Sequence, residues 1–207
     1  PWRPRLKYAP LGPDVAPSVT IVTPVSRATP VLFETLESLR GQSLQAWRWL
    51  LVEDGSRDPE TAALLDLAQR RDARVERRSF AIERGLARAR NVGVLAARTP
   101  YVHLLEDGDL LEATALEKAS WALRSRPQWA YVRAHSIEVG EVALLHAEQA
   151  PRDAWLVAPP VAGGAMFRRE AFVHAGGFDG LLGDDALEWW DLWLRCADRG
   201  LAGGCIP

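Results

Sequence analysis

The sequence predicts an α/β fold built on a mostly parallel sheet flanked by helices. Three observations carry this. Strand-length apolar runs alternate with helix-length amphipathic ones three times between residues 19 and 105, as repeated βαβ units do. The first run, Val19-Thr-Ile-Val-Thr-Pro-Val25, is rich in β-branched residues and apolar on both faces, which suits a strand covered on both sides. The 207 residues are 48% hydrophobic, enough for one mid-sized domain with a full core and too few for two large ones.

Residues 1–17 hold five prolines and read as an extended lead-in, so the domain spans 18–207. A strand at 18–25 opens it. Helix 31–40 places Leu32, Leu36 and Leu39 on one face and stops at Gly41. Strand 47–52 runs into Glu53-Asp54-Gly55-Ser56. Pro59 opens helix 60–71 at the position where proline is tolerated. A weaker strand at 74–78 and an alanine-rich helix at 86–98 follow. Strand 101–105 then ends on Glu106-Asp107-Gly108-Asp109. Beyond residue 127 the alternation is lost: 130–137 reads as a strand, 140–160 fits neither period, and 187–199 reads as a helix. An apolar strand begins near residue 201, which suggests a trimmed chain or the first domain of a longer protein.

Composition narrows the function. With 25 Lys+Arg against 27 Asp+Glu, the net charge of −2 argues against a general nucleic-acid binder and against bulk disorder. No apolar run approaches the length of a membrane span, and no signal peptide is visible after Pro1. Two cysteines, Cys196 and Cys205, exclude a disulfide scaffold and point to a reducing compartment. His103, His135, His146 and His174 show no zinc-ligand spacing. Only Lys7 and Lys118 are lysines, and this arginine and alanine bias points to a GC-rich bacterial source. Phosphate-loop, dinucleotide and nucleophile-elbow motifs are absent. Ser26-Arg-Ala-Thr29 lacks the glycines and lysine that a nucleotidyltransferase needs after its first strand.

The chemistry is expected beyond the carboxyl ends of the strands, at the switch in strand order. An Asp-Gly after one strand is by itself a turn or a helix cap. Two acidic clusters at equivalent strand ends are less easily dismissed. Carboxylates converging on one crevice repel one another unless a cation or hydrogen-bond donors meet them, and Mg²⁺ or Mn²⁺ bridging to substrate phosphates suits that role.

Seven segments, taken in order, resemble the family 2 glycosyltransferases of the GT-A fold. They are residues 19–25, Leu51-Val-Glu-Asp-Gly-Ser-Arg-Asp58, Gly85-Leu-Ala-Arg-Ala-Arg-Asn-Val-Gly93, Tyr101-Val-His-Leu-Leu-Glu-Asp-Gly-Asp109, Gly163-Gly-Ala-Met-Phe-Arg-Arg169, Gly176-Gly-Phe-Asp179 and Glu188-Trp-Trp-Asp-Leu-Trp-Leu-Arg195. The resemblance implies a Rossmann-like nucleotide-binding half (18–110) and a mixed acceptor-binding half (111–207). It implies an inverting, hexosyltransferase-like enzyme that moves a sugar from a nucleotide-diphosphate donor to a carbohydrate or lipid-linked acceptor. The expected setting is bacterial surface polysaccharide or glycolipid assembly, in the cytoplasm or at the inner face of a membrane.

By that resemblance Pro24, Val25, Ser26, Glu53 and Asp54 hold the base and ribose, and Arg90 faces the nucleotide or stands as a solvated helix charge. The family's Asp-x-Asp-Asp metal motif is altered here. Glu106 and Gly108 replace its first two aspartates, Asp109 keeps the last, and Asp107 offers a substitute ligand and a nucleotide contact. The aspartate that serves the family as general base is Trp189, and an indole cannot accept a proton. Either Glu188 or Asp191 takes the role, or a shifted loop brings in Asp184 or Asp185, or the domain is a degenerate module that binds nucleotide or sugar without catalysis. Trp189 and Trp190 offer a sugar-stacking wall or ordinary core, and Gly163 and Gly164 a close backbone approach to the sugar or a plain turn.

Overall fold

The computed structural model describes residues 18–138, 144–146, 164–183 and 185–206. The proline-rich stretch 1–17, Gly163 and Asp184 lie outside the described residues.

β1 (Val19–Val25) is buried along its whole length, as its two-sided apolar pattern requires. It pairs in parallel with β2 (Trp47–Glu53) from Val19↔Trp47 to Val25↔Glu53, and with β4 (Tyr101–Leu104) from Val19↔Tyr101 to Val22↔Leu104. β3 (Val75–Ser79) extends the parallel set beyond β2. The main sheet has seven strands in the order β3-β2-β1-β4-β8-β5-β9, with β8 (Ala165–Arg168) antiparallel to both β4 and β5 (Trp129–Ala134). β9 (Ala202–Ile206) runs parallel to β5. A separate two-stranded ribbon joins β6 (Ser136–Glu138) to β7 (Leu144–His146).

Helices cover both faces. One core gathers Leu32, Leu36 and Leu39 of α1 (Leu32–Arg40), Leu65 and Ala68 of α2 (Pro59–Arg71), and Leu116, Ala119 and Leu123 of α4 (Ala115–Ser125) against Val19, Ile21 and Trp49. The opposite core gathers α3 (Leu86–Ala96), α5 (Arg169–Ala175) and α6 (Asp185–Asp198) against Val22, Val52 and Leu104. Alternate residues of β1 and β2 feed alternate cores, the period-two consequence of the pleat. Asp58 caps α2, its two carboxylate oxygens accepting from the N–H groups of Glu60 and Thr61.

The predicted elements of the first half are present with ends shifted by a residue or two. The second half differs more. α4 and the β8–α5 pair were not anticipated, and the strand expected over 130–137 breaks at His135 into β5 and β6. The strand expected near the end is β9.

The chain passes from β1 outward to β2 and β3, then returns to place β4 on the other side of β1. This reversal makes a crevice above the carboxyl ends of β1 and β4, the place where open α/β sheets bind ligands.

Candidate active site

The crevice has two acidic walls. At the β2 end, the N–H of Asp54 donates to the carbonyl of Val25 (2.8 Å), fixing this turn on the sheet. The Asp54 carboxylate is buried, with Oδ1 accepting from the N–H of Arg84 and Oδ2 from the N–H of Gly85, both at 2.8 Å. Gly85 has φ +92° and leads into α3. One carboxylate thus ties the end of β2 to the start of α3. Gly55 (φ +68°) lies under the same loop, and a Cβ there would sit 2.2 Å from the nitrogen of Glu83, so only glycine lets the loop close down. Ser26, Arg27, Asp54, Asp58, Ile82 and Glu83 are among the residues lining the resulting cleft of about 480 Å³, a size suited to a small ligand.

Other residues expected here point elsewhere. Pro24 and Val25, the last two residues of β1, are buried and are not among the residues lining the cleft, because a central strand is covered on both faces. Glu53 is buried and turned toward β3, where its Oε2 accepts from Arg77 Nη2 (2.6 Å) and from Ser79 Oγ (2.6 Å). Arg77 and Ser79 are two apart on one strand face, so both reach the same carboxylate.

At the β4 end, the loop 106–112 is held by α1 and the turn after it. Thr35 Oγ1 accepts from the N–H of Gly108 (3.2 Å), and Ser38 Oγ from that of Leu111 (3.3 Å). Gln42 donates to the carbonyl of Glu112 (2.9 Å) and accepts from the N–H of Leu116 (3.1 Å). Sequence reading missed these anchors, because a Thr, Ser or Gln on a helix carries no motif. Within the loop, Gly108 has φ +94° and the N–H of Asp109 donates to the carbonyl of Glu106 (3.2 Å). Asp107 Oδ1 is buried and has no hydrogen-bond partner among the described residues. Desolvation pushes the Asp107 carboxyl up to about 6 and also raises that of the more exposed Asp109. An unpartnered buried carboxylate oxygen two residues from a second carboxylate in the same loop is a donor set that a hard divalent cation fits. Among the described residues no group of three or more His, Cys, Asp or Glu closes around a cation, so phosphate oxygens would have to complete the shell.

Arg90 is neither a solvated charge nor turned to the cleft. It is 1% exposed, and its Nε donates to Glu106 Oε1 (3.0 Å) while Nη1 donates to Glu188 Oε2 (3.3 Å). The packing of α3 between β1 and α6 buries it. Its neighbour Asn91 exchanges two hydrogen bonds of 2.8 Å with the backbone of Phe178. The consecutive pair Arg90-Asn91 therefore fastens α3 to the C-terminal region.

On α6, Glu188 is buried against Arg90, whereas Asp191 accepts from Arg195 Nε (2.8 Å) one turn on. Arg195 also donates to the carbonyls of Ala175 and Gly177, so Asp191 belongs to the α5–α6 junction. The two expected base candidates thus engage different partners. Trp189 is not a sugar-stacking wall: it is 1% exposed, edge-on to Phe178 (4.9 Å) and stacked near Trp193 (5.8 Å), because the apolar stripe of α6 faces the sheet. Trp190 is half-buried. Gly164 leads into β8 beside β4, with His103 Nε2 3.7 Å from where its Cβ would be, so nothing there demands glycine. His103 itself is buried with both ring nitrogens unpartnered, and burial lowers it to about 4.

With this geometry in view, the sequence matches the profile of Glycosyl transferase family 2 over residues 20–175, most of the chain. The chain belongs to glycosyl transferase family 2. Curated relatives of this member include the O-antigen biosynthesis protein RfbC of Myxococcus xanthus, 36% identical over 115 residues that cover 55% of this chain and 9% of RfbC. Another is an uncharacterized glycosyltransferase, EpsJ of Bacillus subtilis, 32% identical over 49% of this chain and 29% of its own. The chain thus spans well under half the length of these relatives. Among solved structures, the mannosyltransferase PcManGT of Pyrobaculum calidifontis, in complex with GDP-Man and Mn²⁺, superposes with a TM-score of 0.69 at 21% identity, covering 97% of this chain and 57% of that one. TarS of S. aureus in complex with UDP gives 0.69 at 15% identity over 86% of this chain and 55% of that one. The fold of this family member is that of the GT-A glycosyltransferases. No helix among its described residues is long and apolar enough to cross a membrane.

Proposed function

We propose that this domain transfers a sugar, with inversion, from a nucleotide-diphosphate donor to an acceptor hydroxyl in surface polysaccharide or glycolipid assembly. The observation that carries the reading is the pairing of the Asp54 cleft with the Asp107 oxygen left unpartnered at the switch point, in a chain of this family. The nucleoside fits the cleft lined by Ser26 and Asp54. Asp107 and Asp109 are the residues that would hold Mg²⁺ or Mn²⁺ with the diphosphate. Bound there, the ion would neutralise charge developing on the leaving group. The donors of PcManGT and TarS, GDP-Man and UDP-GlcNAc, and the O-antigen role of RfbC support a nucleotide-sugar donor and a saccharide product.

Glu188 is the base we assign, because it stands at the acidic position directly before Trp189 and is tied through Arg90 to Glu106 of the acidic loop. It takes the proton of the acceptor hydroxyl as that oxygen attacks the anomeric carbon from the face opposite the departing diphosphate. Calorimetry with UDP, GDP and TDP, with and without Mn²⁺, tests the site, and donor hydrolysis tests the reaction. We expect one nucleoside diphosphate to bind more tightly with Mn²⁺ and its sugar conjugate to be hydrolysed slowly. Binding of none overturns the reading. Binding without turnover of any donor, with or without saccharide acceptors, favours the degenerate module that the buried Trp189 suggests.

A further inference from the structure

The cleft at the end of β2 is lined by three acidic residues, and two of their carboxylates are already engaged. Asp54 is buried, with one oxygen on the N–H of Arg84 and the other on that of Gly85. Asp58 turns its oxygens to the first turn of α2, accepting from the N–H groups of Glu60 and Thr61 and from the Thr61 hydroxyl. Glu83 is exposed, and its carboxylate makes no hydrogen bond or ion pair among the described residues. Its backbone is fixed nonetheless. On one side of the loop the N–H of Phe80 donates to the carbonyl of Glu53 (3.0 Å), and on the other Asp54 holds Arg84 and Gly85. Gly55 lies directly against Ile82 and Glu83. Ile82, 53% exposed, lines the cleft as well. An apolar residue and an open carboxylate thus stand on a pinned backbone at the cleft wall, which lowers the ordering cost of binding.

We propose that Glu83 reads the base of the nucleotide and selects guanine, with Ile82 against the face of the ring. This rests on the transferase reading above, which puts the nucleoside in this cleft. A carboxylate offers two acceptor oxygens side by side and no donor. Guanine alone among the common bases presents two N–H donors side by side, N1–H and the 2-amino group, and so pairs with both oxygens. Uracil and thymine present a single N3–H between two carbonyls, one of which would face the second carboxylate oxygen. Adenine and cytosine set one amino group beside an acceptor ring nitrogen, with the same conflict. Opposed lone pairs weaken binding of those bases, so the carboxylate discriminates as well as attracts. Arg27 and Arg57 line the same cleft, and their side chains make no hydrogen bond or ion pair among the described residues. They offer donors for guanine O6 and N7, the acceptor pair that an arginine fork fits.

The test is calorimetry with Mn²⁺ present, comparing GDP, inosine diphosphate, UDP and TDP on wild type, Glu83→Gln and Glu83→Ala. Inosine diphosphate keeps N1–H and O6 but lacks the 2-amino group, so it reports one of the two hydrogen bonds alone. We expect wild type to bind GDP about tenfold to a hundredfold more tightly than UDP or TDP, and about tenfold more tightly than inosine diphosphate, the usual effect of a hydrogen bond to a charged group. In both variants GDP should weaken by about tenfold or more while UDP and TDP stay within about twofold. The gap between GDP and inosine diphosphate should narrow, which measures the coupling of Glu83 to the 2-amino group. A wild type that prefers UDP or TDP overturns the guanine assignment and leaves the transferase reading standing. A preference for GDP that survives both variants, or equal weakening of every nucleotide, overturns the role of Glu83. Binding of no nucleoside diphosphate brings down the transferase reading and this inference together.

Discussion

At the scale of single residues, the acidic clusters divide their labour in a way their sequence does not reveal. Glu53 and Glu106 are taken by arginines, Asp54 by two backbone N–H groups, and Asp107 keeps an oxygen unpartnered. Asp54→Ala removes the tie between β2 and α3 as well as a charge in the cleft wall. Nucleotide affinity should fall by about 1–3 kcal/mol in calorimetry, the range for losing a charged hydrogen-bond partner. Unchanged affinity would move the nucleoside elsewhere. Asp109→Asn should abolish the Mn²⁺ dependence of diphosphate binding while nucleoside binding survives, and a wild-type metal response would reassign the ligand. His103 supplies a pH effect. Its imidazole is lowered from 6.5 to about 4 by burial, so the unfolded chain binds a proton between those values and the folded chain does not. Stability from this group is complete above about pH 6.5 and is lost as pH falls toward 4, by about 3 kcal/mol. His103→Leu should flatten urea-denaturation midpoints between pH 6.5 and 4, and an unaltered pH slope would show that another group titrates.

Among elements, packing decides where propensity alone would mislead. Gly93 lies in the middle of α3, where alanine is favoured by about 1 kcal/mol in an isolated helix. A Cβ there would stand 2.3 Å from Val22 Cγ1 on β1, so either helix or strand must move. Overpacking costs about 1–3 kcal/mol, which outweighs the propensity gain. Gly93→Ala is therefore expected to lower the urea midpoint, and a raised midpoint would show that α3 has slack against the sheet. The first half of the fold was legible because each element there repeats one pattern: β1 is apolar on both faces, α1 carries Leu32, Leu36 and Leu39, and Pro59 and Gly41 mark boundaries. The second half was not, because β8 is a short antiparallel strand whose pairing partners lie far off in sequence. No local period announces a strand of four residues, and the break at His135 within 130–137 is marked by no Gly or Pro. The positions of the acidic clusters were legible as strand ends. Their partners were not, since Arg77, Arg84 and Arg90 become neighbours only through strand order and helix packing.

For the molecule as a whole, the site depends on elements separated by about a hundred residues meeting at one crevice, with α3 as the link between halves. Arg90 and Asn91, side by side on that helix, reach α6 and the turn before it. Glu188 is thereby carried to the acidic loop, while Asp191, three residues on, is drawn into the α5–α6 junction by Arg195. This difference in partners ranks the two candidate bases. A base must lie within hydrogen-bond reach of the acceptor oxygen, directly or through one water, and Glu188 is the acid that Arg90 ties to the acidic loop through Glu106, whereas Asp191 is turned to the α5–α6 junction. Glu188→Gln preserves shape and removes basicity, so single-turnover transfer should slow by about 10²–10⁴. Asp191→Asn should lower thermal stability through the lost Arg195 pair and leave the transfer rate within about threefold of wild type, since it removes no group assigned to the transition state. Rapid-quench measurement at saturating donor, on variants checked for native circular dichroism, separates the two. A slow Asp191→Asn beside a wild-type-like Glu188→Gln would reverse the assignment, and equal slowing in both would mean that they act through α6 as a unit.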